Sequence, residues 1–129
     1  VQDFQLPDTS RPLIVEGAGG LMVPLNHQET MLDLIKHLNL PVILVSRHYL
    51  GSINHTLLSL EVLRSRGIEL AGLLYNGVEN VASEKAIEAL SGVKVLGRVG
   101  EMAHISPEAI AKQAEVLRRD FENPGRFLY

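Results

Sequence analysis

Short aliphatic runs at 13–15, 41–45, 70–75 and 93–96 alternate with segments whose apolar residues recur every three or four positions, and this alternation constrains the fold most. Strands separated by helices cannot pair as hairpins. They imply parallel strands, right-handed crossovers and helices on both faces of the sheet, so the expected class is α/β. Leu13, Ile14 and Val15 read as a buried strand stopping at Glu16. Met31, Leu32, Leu34, Ile35 and Leu38 follow at helical spacing behind Thr30, which suits an N-cap. Gly51 and Ser52 open a second helix with Ile53, Leu57, Leu60 and Leu63 on its apolar face, closing at Gly67, where a left-handed residue fits. A short helix at 83–90 puts Ala86, Ile87 and Leu90 on one side. Ser106, Pro107 and Glu108 start the last helix: serine caps, proline tolerates the first turn and glutamate faces the positive end.

A chain of 129 residues fits one small α/β domain spanning 1–129. Its 12 Lys and Arg stand against 15 Asp and Glu, scattered to a net charge of −3, which offers no basic face to a nucleic-acid backbone. The longest apolar stretch, 40–45, is far short of the roughly 20 residues a bilayer span needs. With no cysteine, disulfides, thiolate metal sites and cysteine nucleophiles are excluded, and a reducing, cytoplasmic setting is the default. Val1 stands where an initiator Met would, and 1–10 lacks a signal-peptide pattern, so the chain reads as cut from something longer. Asn123, Pro124, Gly125 and the two ends read as loosely held.

In open parallel sheets ligands sit at the carboxyl ends of the strands, which here are 16–20, 46–52 and 76–77. Glu16 precedes Gly17, Ala18, Gly19 and Gly20, so one carboxylate lies beside backbone amides that glycine leaves accessible. That suits a Mg²⁺ ligand next to phosphates, or equally a tight turn with an exposed Glu. The start of the helix at Gly51, Ser52 and Asn54 offers an anion site or ordinary capping by Ser52. Asn76 carries the donor and acceptor needed to read a purine edge, or is a turn residue in Asn-Gly. The five histidines show no pair at i, i+4, which argues against zinc, and no serine lies in a G-x-S-x-G elbow. Glycines five apart at 67/72, 72/77 and 92/97 are followed by Leu73, Val78 and Arg98 rather than Lys and Ser or Thr, so no Walker A loop is present.

Together, Val15-Glu16-Gly17-Ala18-Gly19-Gly20 with Val23-Pro24-Leu25, Leu40-Pro41-Val42-Ile43-Leu44-Val45, Leu50-Gly51-Ser52-Ile53-Asn54-His55, and Ala71-Gly72 leading to Asn76 closely resemble the carboxyl-terminal half of dethiobiotin synthase, over about 12–111. The resemblance implies a P-loop NTPase-like, three-layer fold, here partial, and an ATP- and Mg²⁺-dependent ring closure in biotin synthesis. In that reaction 7,8-diaminopelargonic acid takes up CO₂ as a carbamate, ATP phosphorylates it, and the second amine closes a ureido ring. Carried over residue by residue, Glu16 matches the Mg²⁺-binding carboxylate, and the backbone of Gly17, Ala18 and Gly19 faces carbamate and phosphates, Gly19 also meeting substrate. Gly51, Ser52 and Asn54 match a helix start that takes the substrate carboxylate across a homodimer interface, and Asn76, with Gly77, matches the adenine reader.

Further nucleotide contacts fall on Gly100, Glu101, Met102 and Glu108; Gly100 stands where the family typically has proline, while Pro107-Glu108 matches. The family's first strand, its Walker A Lys and Thr, and the Lys and Ser that follow have no counterpart in these residues. Two other readings stay open on the sequence: a non-catalytic regulatory or interaction domain that kept the fold, and a related ATP-dependent amide-forming enzyme acting on another acid.

Overall fold

A computed structural model describes residues 1–122, which divide into two compact units, one over 1–40 and one from 41 on. The loosely held segment expected at Asn123, Pro124 and Gly125 lies outside the described residues.

In the first unit the expected strand at 13–15 does not form. Ile14 is 92 % exposed, and no strand pairs with this run among the described residues. A strand is defined by its neighbour's hydrogen bonds, and apolar composition alone cannot supply them. An antiparallel bridge between Pro24 and Thr30 leads into α1 (Met31–Leu38). Its start is fixed locally: the Asp33 carboxylate accepts from both the amide and the hydroxyl of Thr30, each at 2.7 Å. The helix ends on Asn39 in the left-handed region (φ 49°), whose amide donates to the Ile35 carbonyl. Leu32 is its buried residue.

The second unit is the alternating α/β structure that the sequence pattern requires. Its elements are β1 (Val42–Arg47), α2 (Ser52–Ser65), β2 (Leu70–Asn76), α3 (Val81–Ser91), β3 (Val95–Val99) and α4 (Pro107–Glu122). The strands are parallel in the order β1-β2-β3. Parallel strands that advance in one direction with crossovers of one hand place α2 and α3 on one face, and the two helices pack together. Leu60, Leu73, Tyr75, Ile87, Val93 and Val95 form the core beneath them, flanked by Leu44, Ile53, Leu57 and Leu70. Removing such side chains from water is worth about 1.5–3 kcal/mol each, which outweighs the modest helix propensity of these segments.

The ends of the elements carry their expected punctuation. Gly67 (φ 65°) follows α2, and the Ser106 hydroxyl accepts from the Ala109 amide at 3.2 Å to start α4. Helix α3 begins two residues before the expected Ser83, because Asn80 caps it by accepting from the Ser83 amide at 3.0 Å. Leu90, expected inward, is 73 % exposed: the buried line of α3 runs through Glu84 and Ile87 instead. Strand β3 runs to Val99, three residues past the expected end. Beside it, Gly72 lets β2 approach closely, since a Cβ there would stand 2.7 Å from the Lys94 carbonyl oxygen.

Candidate functional site

In the first unit, Glu16 is exposed, and its carboxylate has no partner among the described residues. The two glycines after it have steric reasons to be there. A Cβ on Gly17 would meet the Met31 sulfur at 2.9 Å, and one on Gly19, which is left-handed (φ 81°), would meet Val23 Cγ2 at 2.6 Å. The loop is tied down just beyond them: the amides of Met31 and Leu32 donate to the carbonyls of Val23 and Leu21 at 2.9 and 2.8 Å. Among the described residues the amides of Gly17, Ala18 and Gly19 donate to no protein acceptor. Open amides on an anchored loop beside a free carboxylate fit a phosphate and its cation. Mg²⁺ takes one or two protein carboxylates and completes its shell with phosphate oxygens and water. A single Glu16 therefore fits, although no group of three or more metal-binding side chains exists among the described residues.

In the second unit the strand ends align, with Arg47, Asn76 and Val99 in register across the sheet. Asn76 is exposed, and the chain turns at Gly77 with φ 96°, a conformation that favours glycine. The Gly77 amide donates to the Val99 carbonyl at 2.8 Å. Glu101 comes to the same edge, 3.9 Å from the Arg47 guanidinium, both well exposed, so this pair adds about 0–1 kcal/mol at most. Gly100 faces Gln113 of α4, 3.7 Å from where its Cβ would be, and Met102 is half-buried. Glu108 is exposed in the first turn of α4. Its own amide and the Ser106 hydroxyl beside it hold its carboxyl below the ordinary range.

The start of α2 is unusual. Gly51 (φ 96°) occupies the N-cap without a side chain to cap with, while Ser52 is buried and its amide donates to the Tyr49 carbonyl at 3.0 Å. Ordinary capping by Ser52 is therefore not what this segment does. The next amides, of Ile53 and Asn54, lie in the first turn, where the helix has no acceptor for them. The Asn54 side chain is exposed. One turn on, His55 Nδ1 lies 2.7 Å from the Tyr49 hydroxyl, which braces the loop before the helix.

Behind this edge lies a polar network that the sequence reading missed. Glu84 is 8 % exposed; one carboxylate oxygen accepts from His48 Nε2 at 2.8 Å and from the Asn80 amide at 2.8 Å, and the other from Arg98. Arg98 also donates to the Gly77 carbonyl at 3.3 Å and lies over the Tyr75 ring, 5.3 Å from its centroid; His48 stacks on that ring at 5.5 Å. Burial opposes the Glu84 charge, yet the Asn80 amide, Arg98 and His48 outweigh it and hold the carboxyl below its ordinary value. Tyr75 is pushed up, by burial first and then by Glu88 and Glu84. Glu88 is also raised, by burial and by the Glu84 charge. The one trace of this in the sequence is Glu84 itself, a charge on the line of α3 that also carries Ile87.

Among known proteins the chain resembles three relatives named ATP-dependent dethiobiotin synthetase BioD. That of Christiangramia forsetii is 50 % identical over 92 % of this chain and 57 % of its own length. That of Paramagnetospirillum magneticum is 48 % identical over 81 % and 51 %, and that of Rhodopseudomonas palustris strain TIE-1 is 44 % identical over 94 % and 58 %. The chain thus spans about half the length of the curated relatives it matches. A family described as the AAA domain matches residues 1–109. A parallel P-loop NTPase-like sheet with its open strand ends, and a match across most of the sequence, make this chain a member of the AAA-domain family.

Proposed function

We propose that this chain forms the carboxyl-terminal part of a P-loop-type domain in an ATP- and Mg²⁺-dependent dethiobiotin synthetase. The observation that carries the reading is the 44 to 50 % identity to proteins of that name over most of these residues. The reaction joins 7,8-diaminopelargonic acid and CO₂ as a carbamate. The carbamate oxygen takes the γ-phosphoryl group of ATP, releasing ADP, and the second amine attacks the activated carbonyl, expelling phosphate and closing the ureido ring.

Each residue group has a part that its surroundings support. Glu16 would hold Mg²⁺, which when bound supplies charge neutralisation at the phosphates. The amides of Gly17, Ala18 and Gly19 face the carbamate and phosphoryl oxygens as donors to developing negative charge. Asn76 and Gly77 meet the purine, and Gly100, Glu101, Met102 and Glu108 border the nucleotide. The start of α2, through Gly51, Ser52 and Asn54, takes the carboxylate of a diamino acid bound in the partner subunit of a homodimer. A cytoplasmic setting belongs to the same proposal, and no helix among the described residues is long and apolar enough to cross a membrane.

The test supplies the intact protein with 7,8-diaminopelargonic acid, ¹³C-bicarbonate, ATP and Mg²⁺. Dethiobiotin labelled at the ureido carbon, one ADP per ring and loss of both with chelator are expected. ATP turnover without labelled product overturns the reading.

A further inference from the structure

Among the described residues, Arg98 reaches both chain neighbours of Asn76. It donates to the Gly77 carbonyl at 3.3 Å and lies over the Tyr75 ring at 5.3 Å. The Gly77 amide is also tied to β3, donating to the Val99 carbonyl at 2.8 Å, so both backbone polar groups of Gly77, in the peptide units before and after it, are held from one strand. Arg98 is itself held. Glu84 takes its other terminal nitrogen, the two side chains being 8 % and 18 % exposed, and Gln113 of α4 donates to the Arg98 carbonyl at 3.0 Å. Such a pair is weak support for stability as such, because removing two charges from water offsets most of their attraction. A planar guanidinium differs from a point charge in reaching two acceptors and a ring face in fixed geometry, and that is how this one is used.

We infer that Arg98, backed by Glu84, is the positioning group of the base subsite, fixing the turn in which Asn76 meets a purine. The inference rests on the proposed role of Asn76 as the base reader. An amide reads a purine edge through a donor and an acceptor side by side, so a rotation of the turn by a few tens of degrees forfeits one of the two bonds. Asn76 is exposed and has no protein partner of its own among the described residues, so the backbone on either side must supply its orientation.

The test compares R98K and N76A in the intact protein by steady-state kinetics. R98K keeps a cation for Glu84 but loses the fork. It is expected to raise KM for ATP roughly tenfold and to narrow the preference for ATP over CTP, while kcat and the KM for the diamino acid stay within about twofold. N76A is expected to do the same. A purely structural Arg98 would lower the melting temperature and the active fraction and leave both nucleotide readouts alone; that result overturns the inference. If N76A moves neither readout, the base-reader assignment itself fails, and the inference with it. If N76A moves them and R98K does not, the base reader stands and the positioning role falls. Should R98K not fold, E84Q frees the guanidinium by another route, and the same two readouts decide.

Discussion

Glu16 and Asn54 are exposed polar side chains without a partner among the described residues, so their loss leaves nothing in the fold unsatisfied. Glu16→Gln is expected to change stability by no more than about 0.5 kcal/mol. Turnover in the intact enzyme at limiting Mg²⁺ should fall by at least about a hundredfold, the scale of a metal contact to the transferred phosphoryl group. A Mg²⁺ titration of activity checks this, and an unchanged curve removes Glu16 from the metal. Asn54→Ala is expected to raise KM for the diamino acid roughly tenfold and leave that for ATP unchanged, because it weakens the grip on one ligand. Separate KM measurements decide; a lower melting temperature with both values intact would make Asn54 a structural residue. As exposed polar positions these residues were legible, because they sit at a glycine-rich loop and at a helix start. Arg98 and His48 were not. Their roles come from side chains far away in sequence, and nothing local in Arg98 or in Ser46-Arg47-His48 announces a shared carboxylate.

Helix α3 carries two carboxylates whose environments act in opposite directions, Glu84 held below the ordinary value of 4.5 and Glu88 raised above it. A carboxyl depressed in the folded state stabilises above its unfolded value, and that stability is lost as pH falls through the folded value. A raised one stabilises below the unfolded value and loses that as pH rises. The melting temperature of Glu84→Gln should therefore lie below that of the parent at neutral pH, by the equivalent of about 1–3 kcal/mol for a charged hydrogen bond removed. The gap should close as pH falls below 4.5, where the parent's carboxyl takes up its proton. Glu88→Gln should instead be more stable than the parent at neutral pH and lose stability more steeply with acid. Melting curves from pH 7 to pH 3 check both signs, and a gap independent of pH would mean that Glu84 acts by shape alone. Among the elements, the starts of α1 and α4 and the end of α2 were read well because capping is short-range chemistry: Thr30 with Asp33, Ser106 with the Ala109 amide, Gly67 past α2; the start of α3 was not, since its cap is Asn80. The run at 13–15 was misread because its aliphatic character states a preference, whereas a strand needs a neighbour.

At the scale of the molecule, the described residues hold a carboxylate and amides without protein partners and an aligned sheet edge, and the sequence has no lysine in a phosphate-binding loop. Every pair of glycines five apart is followed by Leu73, Val78 or Arg98. Phosphoryl transfer draws most of its acceleration from positioning and from charge placed against the transferred group, and a P-loop supplies both through its backbone and its lysine. The 129 residues by themselves are therefore expected neither to hydrolyse ATP nor to form dethiobiotin, even at high Mg²⁺. Weak nucleotide binding should survive, because the turn at Asn76 and Gly77, proposed as the base subsite, is braced by Arg98 and Glu84, with His48 and Gln113 behind them, all within these residues. Titrating the isolated chain with ATP should shift the amide resonances of Gly77 and Val99, and adenosine, lacking phosphates, should shift the same ones. Robust ATP-dependent ring closure by this chain alone would mean that residues within it do the work of the absent lysine, and the division of labour argued above would have to be redrawn around them.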